Sequence, residues 1–165
     1  MINKHHNIIL LTLLTGLLLL LSAPMPASAQ TPLPVVRAVL FYSPSCGHCH
    51  YVITEVLPPL FEQYGQQLEI LPVDVSDPAG SSLFLDTMTK FGLERAGVPF
   101  LVIDNIYLMG SKDIPEQLPT LIEYYLAEGG VDWPALPGLV EYMAVARSTQ
   151  LAVLNPGAPT SMEIP

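Results

Sequence analysis

Phe41-Tyr42-Ser43-Pro44-Ser45-Cys46-Gly47-His48-Cys49-His50 holds both cysteines of the 165-residue chain, spaced C-x-x-C. The run Val35 to Tyr42 ahead of it is β-branched and almost unbroken apolar, which suits a strand buried on both faces. Beyond it Tyr51, Val52, Val56 and Leu57 fall at helical spacing. Pro44 and Ser45 break the strand, so the cysteines lie on a strand-to-helix turn. Cys46 at such a turn meets unpaired backbone N–H groups and the positive end of the helix dipole, and both favour thiolate over thiol. Cys49, one turn inside the helix, is less exposed and within bonding reach of Cys46. The pair is suited to redox exchange: Cys46 attacks or is attacked, and Cys49 resolves the mixed disulfide. His48 between them adds an imidazole that stabilises the thiolate. His50 does the same more weakly or faces water.

Two cysteines are too few for a disulfide scaffold, and bridging them closes only a tiny loop with little effect on chain entropy. The chain is acidic, with 15 Asp and Glu against 6 Lys and Arg and a net charge of −9. No Lys/Arg cluster exists, which argues against a nucleic-acid partner. Near the N-terminus Lys4 precedes an apolar run, Ile8 to Leu21, which Pro24 and Pro26 end before Ala27-Ser28-Ala29. That order reads as a signal peptide over residues 1–29, cut before Gln30, with an uncleaved N-terminal anchor as the alternative. Either places the protein outside the cytoplasm, in a periplasm or on the outer face of a membrane. Disulfides persist there.

Taken in order, residues 30–34 are a lead-in and residues 35–129 the folded domain. Pro58 and Pro59 must kink or interrupt the first helix, which Gly65 ends. Leu68 to Asp74 is a second strand, with Pro72 arguing for an edge position. Ser81 or Ser82 is expected to cap a helix running to about Phe91. Val98 to Ile103 and Ile106 to Gly110 form a hairpin around Asp104-Asn105. Asp113 is the expected N-cap of a last helix reaching Gly129, with Pro115 and Pro119 near its start. Residues 130–165 read as a Pro-rich tail, with a short amphipathic helix from Leu139 to Arg147 and disorder after Gln150. The order β-α-β-α-β-β-α makes one three-layer α/β domain.

The segment Phe41 to Cys49 resembles the active-site segment of thioredoxin-fold proteins, and its C-G-H-C is the form typical of protein disulfide isomerases. Gly97-Val98-Pro99 resembles the family's second hallmark, a loop whose cis-proline faces the active-site disulfide. The resemblance implies a four-stranded mixed sheet of order 2-1-3-4, with the first strand central and the third antiparallel to it. It implies a cis Val98–Pro99 bond, a Val98 backbone that pairs with bound substrate, and no cofactor beyond the Cys46–Cys49 disulfide. Tyr42, close to the turn, is the remaining candidate substrate contact. A narrower similarity runs through residues 49–60, 114–117 and 129–134. These resemble bacterial thioredoxin-like domains that accompany vitamin K epoxide reductase-like membrane proteins, which implies a separate, quinone-linked membrane partner beside protein thiols and disulfides. There are departures. Ser45 stands where the family usually has Trp, Leu40 where many members bury an acid, His50 where a Lys often follows, and Phe100 where thioredoxins usually have Thr. Glu55 and Asp74 are the substitutes within reach for the missing acid.

The reading is thus an exported thiol-disulfide oxidoreductase, an oxidase or isomerase by its compartment and by His48. Three alternatives stay open: a disulfide reductase, as in cytochrome maturation; a carrier binding Cu(I) or Zn(II) through Cys46, His48, Cys49 and His50; and a binding or chaperone module with idle cysteines.

Overall fold

The computed structural model describes residues 32–154, with side chains to residue 148. The expected leader, residues 1–29, lies outside the described residues, as does the tail beyond Leu154. β1 (Val36–Tyr42) leads into α1 (Gly47–Tyr51), a π-helical turn (Val52–Val56) and α2 (Leu57–Tyr64). β2 (Leu68–Asp74), α3 (Pro78–Lys90), β3 (Phe100–Ile103), β4 (Ile106–Met109), α4 (Gly110–Ala127) and α5 (Leu139–Leu154) follow. The sheet order is β2-β1-β3-β4, the thioredoxin-like 2-1-3-4 arrangement. β1 pairs parallel with β2 and antiparallel with β3, and β3 pairs antiparallel with β4. Among the described residues no helix is long and apolar enough to cross a membrane.

The unbroken apolar run of β1 follows from its place between two neighbours and two helical layers. Val36, Ala38 and Leu40 point to one face, where they pack with Leu101 of β3 and with Val52, Leu57, Ile114, Leu118 and Ile122 from the π-helical turn, α2 and α4. Val39 and Phe41 point to the other, against Val73, Leu83, Phe100, Val102 and Leu139. On that second face Phe84 bridges Phe41 and Phe100, with ring centroids 5.1 and 5.6 Å away. β2 is an edge strand. Val75 N–H donates to the Tyr42 carbonyl at 2.9 Å, so by the alternation of a parallel ladder Leu71 and Val73 also face β1. Pro72 then points its missing N–H off the sheet, where the lack of a donor costs nothing.

Two helix starts differ from the sequence expectation, while the interruption expected at Pro58 and Pro59 is present. These prolines lack the N–H groups that would serve the Thr54 and Glu55 carbonyls, and a π-helical turn just ahead absorbs the misfit, with Leu57 N–H bonding back to the Val52 carbonyl. The cap of α3 is Asp77, not Ser81 or Ser82: its Oδ2 accepts from the N–H groups of Ala79 and Gly80 at 3.1 and 3.4 Å, with Pro78 in the first turn. Starting there brings Gly80 against β2, where a Cβ would overlap the Asp74 carbonyl. Asp113 is not an N-cap either. α4 starts at Gly110, whose φ of +82° turns the chain out of β4, and this leaves Asp113 in the first turn.

The largest correction concerns residues 130–154: the first part is stitched into the sheet, and α5 continues to Leu154 rather than stopping at Arg147. β3 reaches only Ala38, so the start of β1 has an open side. Val131 fills it: its N–H donates to the Val35 carbonyl at 2.8 Å, and its carbonyl accepts from Arg37 N–H at 3.0 Å. Arg37 also reaches Glu69 at 3.0 Å and Asp132 at 3.3 Å, and its guanidinium lies 6.0 Å from the Trp133 ring centroid. These partly exposed ion pairs contribute about 0–1 kcal/mol each, so apolar burial of Leu136 and Leu139 holds the segment more firmly. The close approach depends on Gly130, which has φ +97° and would place a Cβ 2.6 Å from the Val35 carbonyl oxygen. Gly129 has a similar φ of +96° with open space around it. Gly129→Ala is therefore expected to cost ~1–2 kcal/mol of backbone strain. Gly130→Ala, which adds steric overlap to the same strain, should cost more than ~3 kcal/mol. Urea unfolding of the two variants measures the gap, and equal midpoints would contradict the docking described.

Candidate functional site

The end of β1 delivers the chain to Cys46, which is the N-cap of α1. Its backbone is extended, with φ −92° and ψ 115°, and its Sγ accepts a hydrogen bond from Cys49 N–H at 3.2 Å. A sulfur thus takes the place of the oxygen that usually satisfies a first-turn donor. Gly47 has no neighbour within 4 Å of a would-be Cβ, which leaves the approach to Cys46 open. Opposite lies the loop before β3. The Val98–Pro99 peptide bond is cis, and the Val98 carbonyl accepts the Cys46 thiol proton at 3.5 Å. The Pro99 carbonyl accepts from Gly110 N–H at 2.8 Å, tying this loop to the start of α4.

The two thiols differ. Both are free, Cys46 half-buried and Cys49 only 1% exposed. Partial burial alone would raise the Cys46 pKa. The Cys49 thiol and the backbone N–H groups of Cys49 and His48 outweigh it, and the thiol ends below its ordinary range. Cys49 moves the opposite way. Burial, reinforced by the hydrogen bond and charge of Cys46, pushes it up to about 11. One sulfur is accessible and ionises more readily than an ordinary thiol, and the other stays protonated behind it.

His48 sits on the exposed side of α1, and its Nδ1 lies 3.0 Å from the Ser111 hydroxyl. Its backbone, not its ring, bears on Cys46. His50 faces outward with its Nδ1 3.5 Å from the Thr54 hydroxyl. Tyr42 is half-buried at the end of β1, where it lines an apolar recess of about 410 Å³ with Leu40, Ile53, Leu57 and Pro72. Leu40 is 1% exposed and packs in the first core. Neither expected substitute for a buried acid acts on Cys49. Glu55 is exposed and accepts from the Thr54 hydroxyl, and the Asp74 carboxylate accepts from Ser76 N–H at 2.8 Å. Among the described residues no group of three or more His, Cys, Asp or Glu side chains converges to hold a metal ion.

The structure thus brings Cys46, Cys49, Val98 and Pro99 together, with Tyr42 beneath and His48 on the rim. It adds two residues that sequence reasoning missed. Ser111 is 63 positions from its histidine, and no spacing rule connects them. Ser43 stands three residues before Cys46, with its carbonyl accepting from Cys46 N–H at 3.1 Å and its hydroxyl between those of Ser45 and Ser76.

No protein-family model and no curated protein matches the chain. Among solved structures it is similar to thioredoxin O2 from Arabidopsis thaliana in its oxidised state, at 21% identity over 55% of this chain and 74% of that one, with a TM-score of 0.39. It is similar also to the holo form of glutaredoxin C1 from Populus tremula × tremuloides, at 21% identity over 57% and 78% of the two chains, with a TM-score of 0.37.

The opposed shifts fix a pH profile for the reduced protein. A depressed pKa keeps Cys46 ionised below the usual thiol midpoint of about 8.5, whereas a raised one keeps Cys49 protonated above it. Iodoacetamide at pH 7 should alkylate Cys46 alone, with a rate midpoint below that of free cysteine. Peptide mapping that found Cys49 modified first would contradict the assignment.

Proposed function

We propose that this protein is a thiol-disulfide oxidoreductase that works through a Cys46/Cys49 dithiol/disulfide pair. The observation that carries this reading is the asymmetry of the pair on one helix turn: an accessible N-cap thiol of lowered pKa with a buried, protonated partner bonded to it. In the oxidising direction a client thiolate attacks the Cys46 sulfur of the disulfide, and Cys49 departs and takes up a proton. A second client thiolate then attacks the client sulfur of the mixed disulfide. Cys46 leaves as the stabilised thiolate, and two electrons have passed from client to protein. Run backwards, the same steps reduce a client disulfide. The Val98 carbonyl, 3.5 Å from the Cys46 sulfur, borders the space a client must enter.

The finer reading is an exported oxidase or isomerase. It is supported by the signal-like order of the first 29 residues, by the C-G-H-C sequence and by the stabilised Cys46 thiolate, which favours the dithiol and so makes the disulfide the better oxidant. The redox partner we propose is a quinone-linked membrane protein of vitamin K epoxide reductase type, on the similarity of residues 49–60, 114–117 and 129–134.

Two measurements test these statements. Cys46→Ser should abolish insulin reduction and oxidative refolding, and Cys49→Ser should accumulate a mixed disulfide with client that a thiol reductant releases. Unchanged turnover in Cys46→Ser would remove the enzyme reading. The reduction potential of the pair is expected near −120 to −180 mV, and a value near −270 mV would make the protein a reductase instead.

A further inference from the structure

The N-terminal half of α5 reaches the same end of the sheet as the cysteines. Tyr142 is half-buried there. Its hydroxyl pKa is raised by burial first, then by Asp77, Tyr42 and Asp74 around it. Tyr42 leads directly into Ser43, whose carbonyl holds Cys46 N–H at 3.1 Å. Beside Tyr142 a groove of about 610 Å³ runs between α3 and α5, floored by Ala79, Val145 and Ala146 and flanked by Asp77 and Glu141. No Lys or Arg lines it. Among the described residues the ion pairs are those of Arg37, at the opposite end of β1, and neither Asp77 nor Glu141 takes part in one. The Asp77 carboxylate caps α3 through one oxygen, Oδ2, which accepts from Ala79 and Gly80.

We propose that this groove docks the stretch of a client polypeptide that flanks its reacting cysteine, and that it selects stretches pairing Lys or Arg with an aliphatic side chain. The inference rests on the oxidoreductase reading and specifies the client. Its size suits one or two side chains, and its lining joins aliphatic Ala79, Val145 and Ala146 with two carboxylates complementary to a client cation. Hydrogen bonds running from Asp77 through Asp74 and Ser76 to Ser43, whose carbonyl holds Cys46 N–H, connect the groove's rim to the active-site turn.

The test uses oxidised protein and three single-cysteine peptides alike except for a Lys-Leu, Glu-Leu or Lys-Ser pair near the cysteine, with 2-mercaptoethanol as an uncharged baseline. At low salt the Lys-Leu peptide should exchange roughly fivefold faster than either of the others, and salt should erode its advantage over Glu-Leu. Asp77→Asn keeps a capping side chain while removing charge. The double variant D77N/E141Q should bring the Lys-Leu to Glu-Leu ratio toward one with the 2-mercaptoethanol rate unchanged. E62Q/E128Q, which removes two exposed carboxylates outside the groove, should keep the ratio. The proposal is overturned by a ratio preserved in D77N/E141Q, by an equal fall in both double variants, or by Lys-Ser matching Lys-Leu. Failure of the unaltered protein to exchange with 2-mercaptoethanol would instead count against the oxidoreductase reading itself.

Discussion

The hydrogen bond from Cys49 N–H to the Cys46 sulfur is the constraint on which the site depends. It caps α1, it holds the two sulfurs on one helix turn, and it helps lower the ionisation of Cys46. The remaining structure keeps that turn in place. β1 is clamped between β2 and β3, so the strand ends at a fixed point. The loop before β3 presents the Val98 carbonyl to the thiol, and the Pro99 carbonyl anchors the same loop to α4. Ser111 on α4 then engages His48 on α1. Three elements far apart in sequence converge on one helix start.

Much of this was legible because the signals were local. The apolar run of β1, the breaking Pro44 and the two cysteines mark a strand-turn-helix unit without reference to the rest of the chain, and Pro72 marks an edge. What escaped notice was set by contacts over long separations or by competition between neighbouring residues. Ser81 and Ser82 resemble caps, yet Asp77 followed by Pro78 starts the helix a turn earlier, and Gly80 lets that turn lie against Asp74. Val131 pairs with β1 because β3 is too short to cover it, a fact about the sheet and not about the sequence near Val131. The five prolines between Pro134 and Pro165 hid a segment that contributes Leu136 and Leu139 to the core.

The two faces of the sheet divide the work differently from what a seven-element domain ending at Gly129 implies. One face is closed by the π-helical turn, α2 and α4 around Leu40 and Leu101. The other would have α3 alone among the described helices, and α5 completes it. α5 therefore both closes a core and lies beside the end of β1. Leu40 belongs to the first face and packs as core, so Cys49 is buried without a carboxylate among the groups that shift it. Its proton must travel by way of Cys46, the backbone or water.

A thiol-disulfide oxidoreductase of the kind proposed meets extended client segments in search of a strand to join. The outer edge of β2 offers such a segment little purchase. Leu68 N–H is already bonded to the Gly65 carbonyl, and Pro72 has no N–H to offer. Only Ile70 and Asp74 remain as outward donors, on either side of a proline ring. On the proposed function, a client chain is therefore held at the cysteines without being templated along the sheet, and covalent exchange need not become aggregation.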